Sequence, residues 1–176
     1  YNSAGNCNAI IETATNRLLY GSTKTLIPST VTSIGDYAFY GRSGLTSISI
    51  PTSVTTIGDC AFVLCSGLTE LTIPNSVDSI GESAFSVCNG LTSIVIPDSV
   101  TTIGESAFQA CNSLTSITFP KNITTIPDRL FSCCSGLTTI VIPQTVTTIG
   151  KEAFIFCNEL SSITIPDSVT GIGDRT

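Results

Sequence analysis

Five of the eight cysteines, Cys65, Cys88, Cys111, Cys134 and Cys157, stand 23 residues apart, and Asp36, Asp59, Glu82, Glu105 and Asp128 form a carboxylate series of the same period. Thiols invite metal binding, disulfide formation or nucleophilic attack, and carboxylates invite acid–base work or weak cation bridging. The chain has no His, so a Ser or Cys nucleophile lacks its usual base. No C-x-x-C occurs to suggest zinc or a redox pair. Equal side chains on successive turns of a repeat meet at about 4.8 Å, more than twice the roughly 2.05 Å of an S–S bond. The column thiols therefore read as small core residues, and the carboxylates as partners for the positive end of a short helical turn. Cys60 and Cys133 fall outside the column and are the candidate exposed thiols. The expectation is a chain with no catalytic residue, no cofactor and no metal site.

The elements that hold these columns follow from the other letters sharing their period. Pro recurs from Pro28 to Pro166 and Phe from Phe39 to Phe154, each step being 23 residues without an insertion. Leu45 through Leu160, Ile48 through Ile163, Val31 through Val169 and Ile34 through Ile172 repeat likewise. The unit is L-x-x-I-x-I-P-x-x-V-x-x-I-G-x-x-A-F-x-x-C-x-x. Its I-x-I alternates as a half-buried strand should, and the following Pro ends the strand because it cannot donate to a ladder. In G-[DE]-x-A-F-x-x-C the apolar spacing predicts one helical or 3₁₀ turn. One strand and one tight turn per period define a solenoid whose strands pair in parallel. A single coil leaves both flanks of its apolar columns wet, so only the array is stable.

The stretch LTSISIPTSVTTIGDCAFVLC resembles the BspA-like, or treponemal-type, leucine-rich repeat, and the resemblance runs from about Leu26 to the C-terminus. It implies a curved solenoid on the surface of a host-associated organism, used for adhesion or protein binding. The segment NCNAIIETATNRLLYGS is similar to the cap that precedes such repeats. That cap often has Cys where Ser22 stands, which leaves Cys7 without the partner the resemblance would supply. Ser53, Ser76, Ser99, Asn122, Thr145 and Ser168 fill the column where the general leucine-rich pattern has Asn or Cys, so a buried Asn ladder is not expected.

Taken together, the fold class is a leucine-rich-repeat solenoid of the α/β type, with a short parallel strand and a short helical turn per coil. Residues 1–25 are expected to form a hairpin cap, with two apolar runs around the turn-prone ATN. Residues 26–176 are expected to hold about six and a half 23-residue repeats. The last coil carries Ile163, Ile165, Val169 and Ile172 with no polar cap after it. Either the natural chain continues, or copies meet end to end. The absence of Met is consistent with a fragment or a processed product.

Composition narrows the partners. Seven basic and thirteen acidic residues give a net charge of −6, with no basic run of the kind phosphate binding needs. No apolar run is long enough for a membrane span. Only 11% of residues are charged, so the surface is built largely from Ser and Thr hydroxyls. The expected concave strand face carries the candidate partner-binding residues Ser47, Ser49, Glu70, Thr72, Thr92, Ser93, Val95, Ser116, Thr118, Thr139 and Val141. Tyr1, Tyr20, Tyr37 and Tyr40, with Arg17 and Arg42, are the best-placed anchor side chains. The function expected is non-catalytic binding or adhesion to a protein or host-surface component, outside the cell or at its surface. The alternative is a structural rod or filament subunit assembling through uncapped coils.

Overall fold

The inward letters of each period, Leu, Ile, Val, Ala, Phe and Cys, meet in one continuous core that runs from Cys7 to Phe154. The computed structural model describes residues 7–176. Each coil has three walls.

The first wall is the I-x-I strand: β4 (Ser47–Ser49), β6 (Glu70–Thr72), β8 (Ser93–Val95), β10 (Ser116–Thr118), β12 (Thr139–Val141) and β14 (Ser162–Thr164). They form three two-stranded parallel sheets, β4 with β6, β8 with β10 and β12 with β14, each in register, as Ile48 with Leu71, Ile94 with Ile117 and Ile140 with Ile163. Proline then turns the corner into the second wall of two-residue strands: β3 (Ser33–Ile34), β5 (Thr56–Ile57), β7 (Ser79–Ile80), β9 (Thr102–Ile103), β11 (Thr125–Ile126), β13 (Thr148–Ile149) and β15 (Gly171–Ile172). This wall is two sheets, one ending at β9 and the other starting at β11.

The third wall is the G-[DE]-x-A-F-x-x-C tract, and here the expected helical or 3₁₀ turn is corrected: no helix occurs among the described residues. Two left-handed residues per coil break it. Tyr37, Cys60, Ser83, Ser106, Arg129 and Glu152 have φ of 53–59°, and Leu64, Val87, Ala110, Cys133 and Phe156 have φ of 55–63°. Alternate N–H groups then point along the solenoid axis. Tyr37, Phe39 and Gly41 donate to the carbonyls of Asp59, Ala61 and Val63 in the next coil (2.9, 2.7 and 2.8 Å), while Ala38, Tyr40 and Arg42 close local turns. A helix would satisfy these groups within one coil; the ribbon uses half of them to fasten coil to coil. It also stacks the phenylalanines, with Phe39, Phe62 and Phe85 at centroid spacings of 4.9 and 5.2 Å and tilts of 3° and 7°.

At the N-terminal end, β1 (Ala9–Glu12) and β2 (Arg17–Gly21) form an antiparallel hairpin, and β2 pairs in parallel with β3. Leu18 is fully buried beneath it. Tyr1 and the start of the 1–25 segment lie outside the described residues. At the other end, Ile163, Ile165 and Ile172 are exposed, whereas Ile48, Ile50 and Ile34 in the same columns are buried.

Candidate functional site

The period-2 alternation of each short strand puts its central Ile or Leu inward and both neighbours outward. All eleven strand-face candidates, from Ser47 to Val141, are exposed. The in-register ladder aligns them in two rows. Ser47 faces Glu70, Ser93 faces Ser116, and Thr139 faces Ser162; beside them Ser49 faces Thr72, Val95 faces Thr118, and Val141 faces Thr164. The second row mixes hydroxyls and methyls, and its valines are 64% and 79% exposed at Val95 and Val141. Thr69, Thr115 and Thr138 border the rows and donate their hydroxyls to carbonyls one coil back, at Thr46, Thr92 and Thr115 (3.0–3.3 Å).

Two shallow grooves score this face. Ser47, Ser49, Glu70 and Thr72 line one with Ile48 and Ile50. Thr118 and Val141 line the other with Ile117, Phe119, Lys121 and Pro143. Lys121 and Pro143 fall outside the eleven expected residues, because strand alternation ends at the proline corner. The signal was present in Lys121, a base in a column otherwise filled by Thr52, Asn75, Asp98, Gln144 and Asp167. Its ammonium lies 2.9 Å from Asp98. The hydrogen bond from Lys121 holds the Asp98 carboxyl below its usual range.

The thiol column has a specific job. Cys65, Cys88, Cys111, Cys134 and Cys157 donate to the Phe carbonyls one coil back, at Phe39, Phe62, Phe85, Phe108 and Phe131 (3.0–3.2 Å). Burial pushes the Cys65 and Cys157 thiols up to about 11 and Cys111 to about 12, and raises Cys88 and Cys134 further. These are thiols held protonated, the opposite of an activated nucleophile. The two candidates outside the column, Cys60 and Cys133, are half-buried, and burial raises Cys60 as well.

The carboxylates sit differently from the expectation. With no helix present they cap none; instead Asp36, Asp59 and Asp128 accept the N–H of Asp59, Glu82 and Lys151 one coil on (3.0, 2.8 and 2.7 Å). A parallel hydroxyl column does what an Asn ladder does elsewhere. Ser53, Ser76, Ser99, Thr145 and Ser168 donate to the carbonyls of Val31, Val54, Val77, Ile123 and Val146 (2.6–2.7 Å). The hydroxyls and these three aspartates are therefore committed to the frame.

Of the tyrosine–arginine group, Tyr37, Tyr40 and Arg42 lie on the turn ribbon and Arg17 and Tyr20 on β2. Tyr37 and Tyr40 are 5.8 Å apart between centroids. Arg42 stands in the thiol column of the first coil, where the hairpin replaces a preceding coil. Its Nε donates to the Gly21 carbonyl at 2.9 Å, with its guanidinium 4.4 Å above Tyr20. Arg17 pairs with Asp36 at 2.7 Å.

A parallel solenoid with one flat, nearly uncharged, β-branched face and its polar columns spent on coil-to-coil bonds is the architecture of a leucine-rich repeat protein. The profile described as "BspA type Leucine rich repeat region (6 copies)" matches residues 19–94 and 79–176, and the chain belongs to that family. Repeat proteins of this type are generally protein-binding, and the family is not a catalytic one. The chain is 39% identical to a leucine-rich repeat protein from Bacteroides ovatus, with a TM-score of 0.82 over 84% of this chain and 38% of that one. It thus spans well under half the length of that relative. A leucine-rich repeat protein of T. pallidum shares the fold at 22% identity and a TM-score of 0.72, covering 92% of this chain and 91% of that one. The pneumococcal vaccine antigen PcpA does so at 21% identity and 0.67, over 96% of this chain and 46% of that one. None of the curated proteins compared matches the chain.

Proposed function

We propose that this chain is a non-catalytic binding or adhesion module, working outside the cell or at its surface, that presents the two strand-face rows to a protein or host-surface partner. The observation carrying this reading is the exposure of Val95 and Val141, apolar residues held in register with Thr118 and Thr164 on a face whose only nominated charge is Glu70. Exposed β-branched methyls on a rigid ladder cost little entropy to bury against a flat partner. The β1–β2 hairpin acts as the cap of the 1–25 segment on a solenoid of residues 26–176. The test is saturable binding of the fluorescently labelled chain to cultured epithelial cells. Val95→Asp with Val141→Asp should weaken it at least about tenfold, the effect of losing roughly 1.4 kcal/mol. Equal binding by wild type and variant would reject the strand face.

The second reading is a rod or filament subunit. It draws on the uniform stacking of the coils, β3 on β5 and β5 on β7 in one register, which equal units can continue. It requires a sedimentation coefficient that rises with protein concentration, and a constant monomer value removes it.

A further inference from the structure

In the second wall, glycine marks the closest approach of successive coils. A Cβ added to Gly58, Gly81 or Gly150 would lie 2.8, 2.6 or 2.5 Å from the backbone nitrogen of Asp36, Asp59 or Asp128. The fifth coil has Pro127 at this place, with a Cβ and a ring where its neighbours have room for neither. Proline also lacks an N–H. Gly58, Gly81, Gly104, Gly150 and Gly173 donate to Ile34, Ile57, Ile80, Ile126 and Ile149 at 2.7–2.8 Å, and the matching bond to Ile103 cannot form.

The same coil departs from the pattern at three more places that bear on this wall. Asn122 replaces the hydroxyl that would reach Val100. Leu130 replaces alanine, and Phe119 replaces isoleucine and packs edge-on to Phe131 at 5.8 Å. The consequences are visible together. β9 and β11 do not pair with each other, though β9 pairs with β7 and β11 with β13. The N–H···O bond that Thr55, Asp78, Thr101, Thr147 and Thr170 make to the coil before (2.8–2.9 Å) is missing at Thr124. A groove lined by Thr101, Thr102, Glu105, Thr124, Thr125 and Asp128 occupies the gap.

The other two walls cross this junction unbroken. β8 pairs with β10 in register, and Ser106, Phe108 and Ala110 donate to Asp128, Leu130 and Ser132 at 3.0, 3.1 and 2.7 Å. Two fastened walls facing one parted wall have the geometry of a hinge. We infer that Pro127 divides the solenoid into two stacks that flex against each other by opening of the second wall between β9 and β11. Opening tips the later coils away from the parted wall and alters the curvature of the strand face between Val95 and Val141 without breaking a bond there.

Native-state hydrogen exchange on the full chain tests this. Amides of Thr124 and Thr125 should exchange at least about tenfold faster than those of Thr147 and Thr148, their equivalents one coil on, which donate to the Thr124 carbonyl across an intact junction. In the variant Asn122→Ser with Pro127→Gly the difference should vanish and the urea midpoint should rise. The reciprocal Gly81→Pro should bring fast exchange to Asp78, whose amide donates to the Thr55 carbonyl across that junction. Equal protection of the two coils in the wild type would overturn the hinge, as would a repaired variant that keeps the fast amides.

Discussion

Each column cysteine ties its coil to a carbonyl of the one before, in a site that holds the proton on sulfur. The pH consequence has a definite sign. Below about pH 9, the ordinary thiol value, folded and unfolded chains are both protonated and the full stability is present. Above it the unfolded chain ionises, while Cys65, Cys157 and Cys111 resist until about 11 to 12. Stability should therefore fall across that interval. A urea midpoint under reducing conditions, lower at pH 10.5 than at pH 8, is the expected result, and an unchanged midpoint contradicts it. At pH 8, iodoacetamide should label Cys60 and Cys133 before any column thiol, as read by mass spectrometry. At Gly81, 2.6 Å of space above the Asp59 nitrogen leaves no place for a methyl. Gly81→Ala should cost about 1–3 kcal/mol by overpacking, measured by denaturant unfolding. Spacing made the burial of the cysteines legible, since five equal letters at one period share one environment. It did not make their hydrogen bonds legible, because the acceptor lies 26 residues back on another coil.

The strands were readable for the same reason that the turn ribbon was not. Alternation in I-x-I is a pattern of side chains, and burial reports it directly. The ribbon is set by left-handed backbone at Tyr37, Ser83 and Glu152, residue types that carry no such signal, so A-F-x-x-C took the shape of a helical turn on paper. One ribbon column acts electrostatically: Glu152 is buried between Arg129, at 2.8 Å, and Arg175. The hydrogen bond from Arg129 holds its carboxyl below the ordinary 4.5. A lowered carboxylate contributes stability above its unfolded value and loses it as pH falls through the folded one. Protection of Gly171 and Ile172 against hydrogen exchange should thus decline below about pH 4.5. Glu152→Gln should lose that dependence, giving weaker protection at pH 7 with little further change on acidification.

Across the whole molecule, the frame consumes polar groups and leaves a sparsely charged strand face, the one proposed to bind. Glu70 is the single charged residue among the eleven candidate positions, so affinity for the proposed partner should change less than about threefold between 0.1 and 0.5 M salt. An ion-driven interface would weaken by far more over that range. The face itself was readable from alternation. Lys121 and Pro143 were missed because they lie past the proline corner, and the parting of the second wall because it comes from one coil's departures rather than from the consensus. Those departures also give this otherwise uniform rod an address. Where every coil offers its neighbours the same contacts, loss or duplication of a whole unit by recombination leaves the packing intact and changes only length. Such exchanges can lengthen or shorten the rod on either side of Pro127, so the distance from the hinge to each tip is a quantity that evolution can adjust independently.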